Sequence, residues 1–196
     1  MYNDFYGFSE EPFNVTPDPR FLYLTPSHRE ALASMIYGIK ERKGFISIMG
    51  EVGTGKTTLV HTLLMKLDEN VKAVFIFHTH VSFEELLKAV LTELDIPVLD
   101  QGKAGLLHAL NENLIRRLSQ NENVALIIDE AQNLGKEVLE ELRQLSNLET
   151  PRSKLLQIVL VGQPELEAKL NSPELRQLKE LIGIRRRIEP LPPEDC

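Results

Sequence analysis

Short runs of consecutive apolar residues alternate along this chain with longer stretches whose apolar residues recur every three or four positions. Runs of the first kind are typical of buried strands, and stretches of the second kind are typical of amphipathic helices. We predict five strands, at residues 45–49, 71–77, 124–128, 155–161 and 184–191. We predict helices at residues 26–42, 58–67, 83–94, 103–119, 136–148, 164–170 and 174–181. Such alternation favours an α/β fold with a parallel sheet.

Composition narrows the class of protein. The chain has 196 residues, 42% hydrophobic and 26% charged, as expected for a soluble globular domain. Its formal net charge of −7 argues against a large nucleic-acid footprint. Cys196 is the single cysteine, so a disulfide framework is excluded and a reducing compartment is favoured. No apolar run reaches membrane-spanning length, and the N-terminus lacks the basic region of a signal peptide.

Residues 50–57 match the phosphate-binding pattern G-x-x-x-x-G-K-[ST], the Walker A motif, between a predicted strand and a predicted helix. In that context the loop amides and the helix N-terminus point at phosphate. Lys56 is then expected to bridge the β- and γ-phosphates of ATP, Thr57 to bind Mg²⁺, and Thr58 to contact the α-phosphate. The predicted nucleotide-binding residues are Gly50, Glu51, Val52, Gly53, Thr54, Gly55, Lys56, Thr57 and Thr58. The alternative is a glycine-rich turn with a solvated lysine.

The predicted strand 124–128 runs directly into Asp129 and Glu130. A buried parallel strand delivers such acids at its carboxyl end, beside the Walker A loop, which is the arrangement of a Walker B motif. We assign Asp129 to the Mg²⁺ shell and Glu130 to the attacking water. Two adjacent acids also indicate the subclass of P-loop proteins that hydrolyse ATP with a catalytic glutamate. In that subclass another strand lies between the Walker A and Walker B strands.

Other polar residues allow more than one interpretation. Gln163 follows the strand 155–161, where it either contacts the γ-phosphate or water, the sensor 1 role, or is an ordinary polar residue. The arginines at 185–187 either reach the γ-phosphate of a neighbouring subunit or keep an edge strand soluble. His78 and His80 follow the second strand without acidic or cysteine neighbours, so we interpret them as loop residues rather than metal ligands.

The two ends of the chain differ from the core predicted at residues 26–191. Residues 1–25 contain seven aromatic residues, including Phe5, Phe8, Phe13, Phe21 and Tyr23, among three prolines, and prolines prevent a long helix. We predict an extended segment packed on the core, which either borders the nucleotide base or simply covers the core. Residues 192–196 are interpreted as the start of a linker to a missing lid or C-terminal region.

Walker A at 50–57, Walker B at 126–130 and the segment Leu160-Val161-Gly162-Gln163-Pro164-Glu165-Leu166 together resemble AAA+ ATPases. More specific segments resemble the general secretion pathway protein A (ExeA-type) family, and the resemblance covers nearly the whole chain. These are Phe5-Tyr6-Gly7-Phe8, Thr16-Pro17-Asp18-Pro19-Arg20-Phe21-Leu22-Tyr23, His28-Arg29-Glu30-Ala31-Leu32 and Tyr37-Gly38-Ile39.

That resemblance implies an ATPase on the cytoplasmic face of a bacterial inner membrane. In the secretion members a membrane span and a peptidoglycan-binding domain follow, and they help to assemble a secretin pore. The family commonly has an arginine where this chain has Leu181, so an arginine acting in trans would be Arg176 or one at 185–187. The lid, with its sensor 2 arginine, would begin near Glu194, where this sequence stops. Without the lid we expect weak nucleotide binding and slow hydrolysis by this chain.

The sequence therefore predicts a three-layer P-loop NTPase core, with a parallel five-stranded sheet in the order 5-1-4-3-2. The predicted function is Mg²⁺-dependent ATP hydrolysis that drives assembly or transport in a secretion or envelope machine, with Glu130, Lys56 and Gln163 as catalytic residues. The expected partners are machinery proteins and further copies of the full-length chain. One alternative is a DNA-transposition target-selection ATPase. Another is an adaptor that binds nucleotide without hydrolysing it.

Overall fold

The computed structural model describes residue 7 and residues 23–98, 102–151 and 153–190. The helices in these ranges are α1 (Pro26–Lys40), α2 (Lys56–Lys66), α3 (Phe83–Glu93), α4 (Gly102–Ser119), α5 (Lys136–Leu145), α6 (Pro164–Leu170) and α7 (Arg176–Leu181). The strands are β1 (Phe45–Gly50), β2 (Val71–Ile76), β3 (Asn123–Ile128), β4 (Glu149–Thr150), β5 (Ser153–Lys154), β6 (Leu156–Gly162) and β7 (Ile182–Ile188). Short 3₁₀ turns lie at Ala131–Asn133 and Pro173–Leu175.

The main sheet is parallel and has the strand order β2-β3-β6-β1-β7. Counting only the five strands of this sheet and reading from the β7 edge, this is the predicted order 5-1-4-3-2. The strand numbering differs in detail because β4 and β5 form a separate antiparallel hairpin that the sequence pattern did not predict. Strand β6 lies between β1 and β3, so the strand expected between the Walker A and Walker B strands is confirmed.

Helices cover both faces of the sheet, which explains why its central strands are continuous apolar runs. Along β1, Phe45 and Met49 pack with the cluster formed by α3, α4 and α5, whereas Ile46 and Ile48 pack with α1 and α2. Every residue of β1, β3 and β6 is buried. The edge strands β2 and β7 are only partly buried. The three-layer α/β architecture is therefore confirmed.

Several predicted boundaries shift by a few residues. Helix α5 ends at Leu145 rather than at 148, because the amides of Ser146, Asn147 and Leu148 bond three residues back and tighten the chain into a turn. The prediction for 174–181 divides into the 3₁₀ turn Pro173–Leu175 and α7. Helix α3 begins with a capping box formed by Ser82 and Glu85.

The predictions for the chain ends, including most of the segment 1–25 and all of 192–196 with Cys196, lie outside the described residues. Among the helices that the structure describes, none is long and apolar enough to cross a membrane.

Candidate nucleotide-binding site

The loop between β1 and α2 contains two glycines in the left-handed conformation. Gly53 and Gly55 have φ angles of 78° and 79°, which glycine adopts without the strain that a Cβ would cause. Gly55 directly precedes α2, and no side chain caps the N-terminus of this helix. The first amides of α2 are therefore left for another acceptor, as a phosphate-binding loop requires. The predicted strand, loop and helix are confirmed here, while phosphate binding stays a prediction.

Lys56 is folded back onto this loop. Its side chain is nearly buried, with the residue 6% exposed, and Nζ donates to the carbonyl oxygens of Gly50 and Glu51 at 2.9 and 2.8 Å. Both acceptors are neutral, so no carboxylate balances the ammonium through these contacts. A buried cation with neutral partners favours binding of an anion. Glu51 and Val52 are exposed at the rim of the loop.

Thr57 and Asp129 are brought together across the sheet. The Thr57 hydroxyl donates to Oδ2 of Asp129 at 2.7 Å, and the amide of Glu130 donates to Oδ1 at 2.9 Å. Asp129 is 2% exposed, at the carboxyl end of β3. The structure thus places side by side the two residues to which the sequence assigned Mg²⁺.

Glu130 is held by several donors. Its backbone is left-handed, with φ 51°, and its carbonyl accepts from the Thr79 hydroxyl at 3.2 Å. Oε2 of its carboxylate accepts from the side-chain amides of Gln132 at 2.5 Å and Gln163 at 3.0 Å. The structure therefore brings the Gln163 side chain, just after β6, to the Glu130 carboxylate, and its sensor role stays a prediction.

Gln132 is a residue of this site that the sequence analysis missed. While its Nε2 donates to Glu130, its Oε1 accepts from the backbone amide of Gln163 at 3.1 Å. Gly162 permits this arrangement, because a Cβ there would lie 2.8 Å from Oε1 of Gln132. Lys169 fixes the turn by donating to the carbonyl of Gln132 at 2.5 Å. The signal available in the sequence was a polar residue two positions after the acids at the end of a strand.

The remaining candidates lie around this centre. Arg187 lies on the edge strand β7, with a guanidinium nitrogen 3.8 Å from Oε1 of Glu51 in the loop of its own chain. Arg176 donates to Glu180 on α7. His78 and His80 are exposed after β2, and in the described ranges no three histidine, cysteine or acidic residues form a metal cluster.

Comparison with known proteins shows the family of this chain. A family model described as an AAA domain matches residues 39–170. The whole chain is 41% identical to a part of General secretion pathway protein A from Aeromonas hydrophila. The chain spans only 36% of the length of that relative.

Similar solved structures show the same fold. The Cdc6p structure from Pyrobaculum aerophilum superposes with a TM-score of 0.68 at 20% identity, over 90% of this chain and 48% of that one. The ORC2 structure from Aeropyrum pernix, in ADPNP-ADP complexes, gives 0.65 at 18% identity, over 85% and 50% of the two chains. At these identities the likeness shows the fold alone.

Proposed function

The chain belongs to the AAA domain family, and from this premise we propose that it binds ATP with Mg²⁺ and hydrolyses it. The observation that carries this proposal is the 2.7 Å contact between the Thr57 hydroxyl and the Asp129 carboxylate. Thr57 follows Lys56 at the start of α2, after a loop that contains two left-handed glycines. Membership of the AAA domain family supports nucleotide as the ligand class, and the ORC2 structure, which has the same fold, contains ADPNP and ADP.

The residues present fit both the nucleotide and the metal. Hydroxyl and carboxylate oxygens are ligands that Mg²⁺ accepts beside phosphate oxygens, and Thr57 and Asp129 supply one of each. When bound, Mg²⁺ neutralises negative charge on the phosphates. Lys56 exchanges its two carbonyl partners for phosphate oxygens, which as charged acceptors form stronger hydrogen bonds. The amides of Gly55 and the first turn of α2 complete the phosphate cradle.

In the proposed reaction Glu130 acts as the general base. Its carboxylate accepts a proton from the attacking water as the new bond to the γ-phosphorus forms and the bond to the ADP oxygen breaks. Gln163 and Gln132 hold this carboxylate through their side-chain amides. Gln163 also has the sensor role in this proposal. Its side chain is bonded to Glu130 and would contact the γ-phosphate or the attacking water when ATP is bound.

We further propose that hydrolysis drives assembly or transport in a secretion or envelope machine at the cytoplasmic side of a membrane. The identity of 41% over the full chain to General secretion pathway protein A supports this role. Because the chain spans 36% of that relative, the machine, its proteins and a homo-oligomeric state all belong to the proposal. The division into an N-terminal segment, a core at 26–191 and a linker is part of it as well.

The test compares wild type with Glu130→Gln in Mg²⁺-ATP binding by calorimetry and in phosphate release. Glu130→Gln replaces one carboxylate oxygen by an amide nitrogen of similar size and cannot take a proton, so it should bind ATP and release phosphate at least about a hundredfold more slowly. Glu69→Gln, in an exposed turn outside the site, is the matched control and should behave like wild type. Equal turnover by Glu130→Gln and wild type removes the catalytic assignment. Binding of ATP and of a non-hydrolysable analogue without phosphate release selects the adaptor alternative.

A further inference from the structure

His28 is a buried residue of α1 that contacts the phosphate-binding loop, and the proposed reaction assigns it no role. It is 4% exposed, and its Nε2 lies 2.8 Å from the carbonyl oxygen of Thr54. Its Nδ1 lies 2.6 Å from the Thr25 hydroxyl, the N-cap of α1. Both ring nitrogens therefore have partners within the protein, and one partner belongs to the loop itself.

The hydrogen bonds around His28 form a directed chain. At one end the amide of Glu189, just after β7, donates to the Ser27 hydroxyl at 3.3 Å, and Ser27 lies 2.9 Å from the Thr25 hydroxyl. At the other end the Thr54 carbonyl can only accept, so Nε2 of His28 carries a proton. A neutral ring then accepts at Nδ1 from Thr25, and Thr25 accepts from Ser27. One tautomer of His28 satisfies every group from β7 to the loop.

The contact with Thr54 determines the direction of the next amide. A trans peptide is planar, and its C=O and N–H point in opposite directions. Because His28 holds the Thr54 carbonyl toward α1, the N–H of Gly55 points away from α1. Within the part of the chain that the structure describes, this N–H donates to no backbone carbonyl. Gly55 is also the left-handed residue directly before α2, where amides face a bound phosphate.

We propose that His28 is a positioning residue for the phosphate-binding loop, holding the Thr54–Gly55 peptide so that the Gly55 amide faces the nucleotide phosphate. This inference rests on the proposed function, because the ligand is a nucleotide phosphate. The chain through Thr25 and Ser27 anchors His28 to the end of β7, so the loop is oriented by a fixed part of the sheet. That end of β7 also packs on the first residue of the motif, since Ile188 pairs with Gly50.

The test is a pair of substitutions that differ by one methylene. In His28→Gln the side-chain amide nitrogen takes nearly the place of Nε2 and can donate to Thr54. In His28→Asn the amide is too short to reach Thr54 and can bond only Thr25. We expect His28→Gln to bind Mg²⁺-ADP within about twofold of wild type and His28→Asn to bind about tenfold more weakly. Met35→Leu, at a buried position of α1 whose contacts are with the core cluster, is the control and should leave affinity unchanged.

Two further measurements separate positioning from loss of folding. Without nucleotide, His28→Gln and His28→Asn should have similar Tm values. Addition of Mg²⁺-ADP should change the NMR chemical shift of the Gly55 amide as much in His28→Gln as in wild type, and less in His28→Asn. Equal affinity of the two variants, or affinity losses that simply follow Tm, overturns the inference. Absence of Mg²⁺-ADP binding by wild type instead overturns the proposed function, so the two failures are distinguishable.

Discussion

The hydroxyl of Thr57 donates a 2.7 Å hydrogen bond to Oδ2 of Asp129, although 72 residues separate them in the chain. The parallel sheet makes this possible, because β1 and β3 both end at the same edge with only β6 between them. The sequence assigned Mg²⁺ to these two residues on motif grounds alone. Their contact shows that the fold delivers the hydroxyl and the carboxylate to one point.

Thr57→Ala should weaken nucleotide binding only when Mg²⁺ is present. The substitution removes one proposed metal ligand and leaves the Asp129 carboxylate without its hydroxyl donor. We expect about tenfold weaker Mg²⁺-ADP binding and a higher Mg²⁺ requirement, with affinity for metal-free ADP near that of wild type. Calorimetric titrations over a range of Mg²⁺ concentrations measure both.

Thr57→Ser keeps the hydroxyl and is the matched variant for this prediction. It should retain the Mg²⁺ dependence of wild type. A Thr57→Ala variant with the same Mg²⁺ requirement as Thr57→Ser would show that the hydroxyl is not a metal ligand.

Lys56→Ala should abolish tight nucleotide binding. Lys56 is the nearly buried cation of the loop and donates to two carbonyls that phosphate oxygens would outcompete. Charge-assisted hydrogen bonds are worth more than neutral ones, so we expect affinity to fall by roughly a hundredfold or more. Lys66→Ala, at the exposed last residue of the same helix, should bind like wild type. Fluorescent-nucleotide titration of both variants checks this, and comparable affinities would remove Lys56 from the site.

Much of this site was predictable from local sequence, and the part that was not depends on tertiary contacts. Asp129 and Glu130 were predictable because a buried parallel strand must deliver the residues after it to the edge of the sheet. Gln132 was not, because its role depends on the left-handed backbone at Glu130 and on the close approach of Gly162. The hairpin β4/β5 was missed since each strand has two residues, too few for an alternating pattern.

Gln132→Leu should slow hydrolysis while leaving nucleotide affinity nearly unchanged. The side chain bonds to Glu130 and to the Gln163 amide, and neither of these hydrogen bonds involves the phosphate-binding loop. Loss of its amide frees the Glu130 carboxylate from one of two donors, and misplacement of a general base by about 1 Å costs roughly ten- to a hundredfold in rate. Steady-state kinetics should therefore show a reduced kcat with little change in Mg²⁺-ADP affinity.

Gly162→Ala tests the same contact without altering an amide. Its Cβ would lie 2.8 Å from Oε1 of Gln132 and 3.0 Å from Leu166, so Gln132 must move. The loss of kcat should resemble that of Gln132→Leu, and combining the two substitutions should add little. Fully additive effects would mean that Gly162 acts through another neighbour, such as Leu166.

The start of α3 should contribute stability that depends on pH. Hydrogen bonds from the backbone amide of Ser82, and then from its hydroxyl, lower the pKa of the Glu85 carboxyl below its usual value. A carboxyl whose pKa is lower in the folded state stabilises the fold above its unfolded pKa, and this stabilisation disappears as pH falls through the folded pKa. Glu85→Ala should therefore lower Tm at pH 7 by a few degrees, and the difference from wild type should narrow as the solution is acidified.

Ser82→Ala removes the other half of the capping box, so the two substitutions should be non-additive in thermal unfolding at pH 7. A Tm difference for Glu85→Ala that stays constant down to pH 3, or additive effects of the two substitutions, would show that these hydrogen bonds do not stabilise α3.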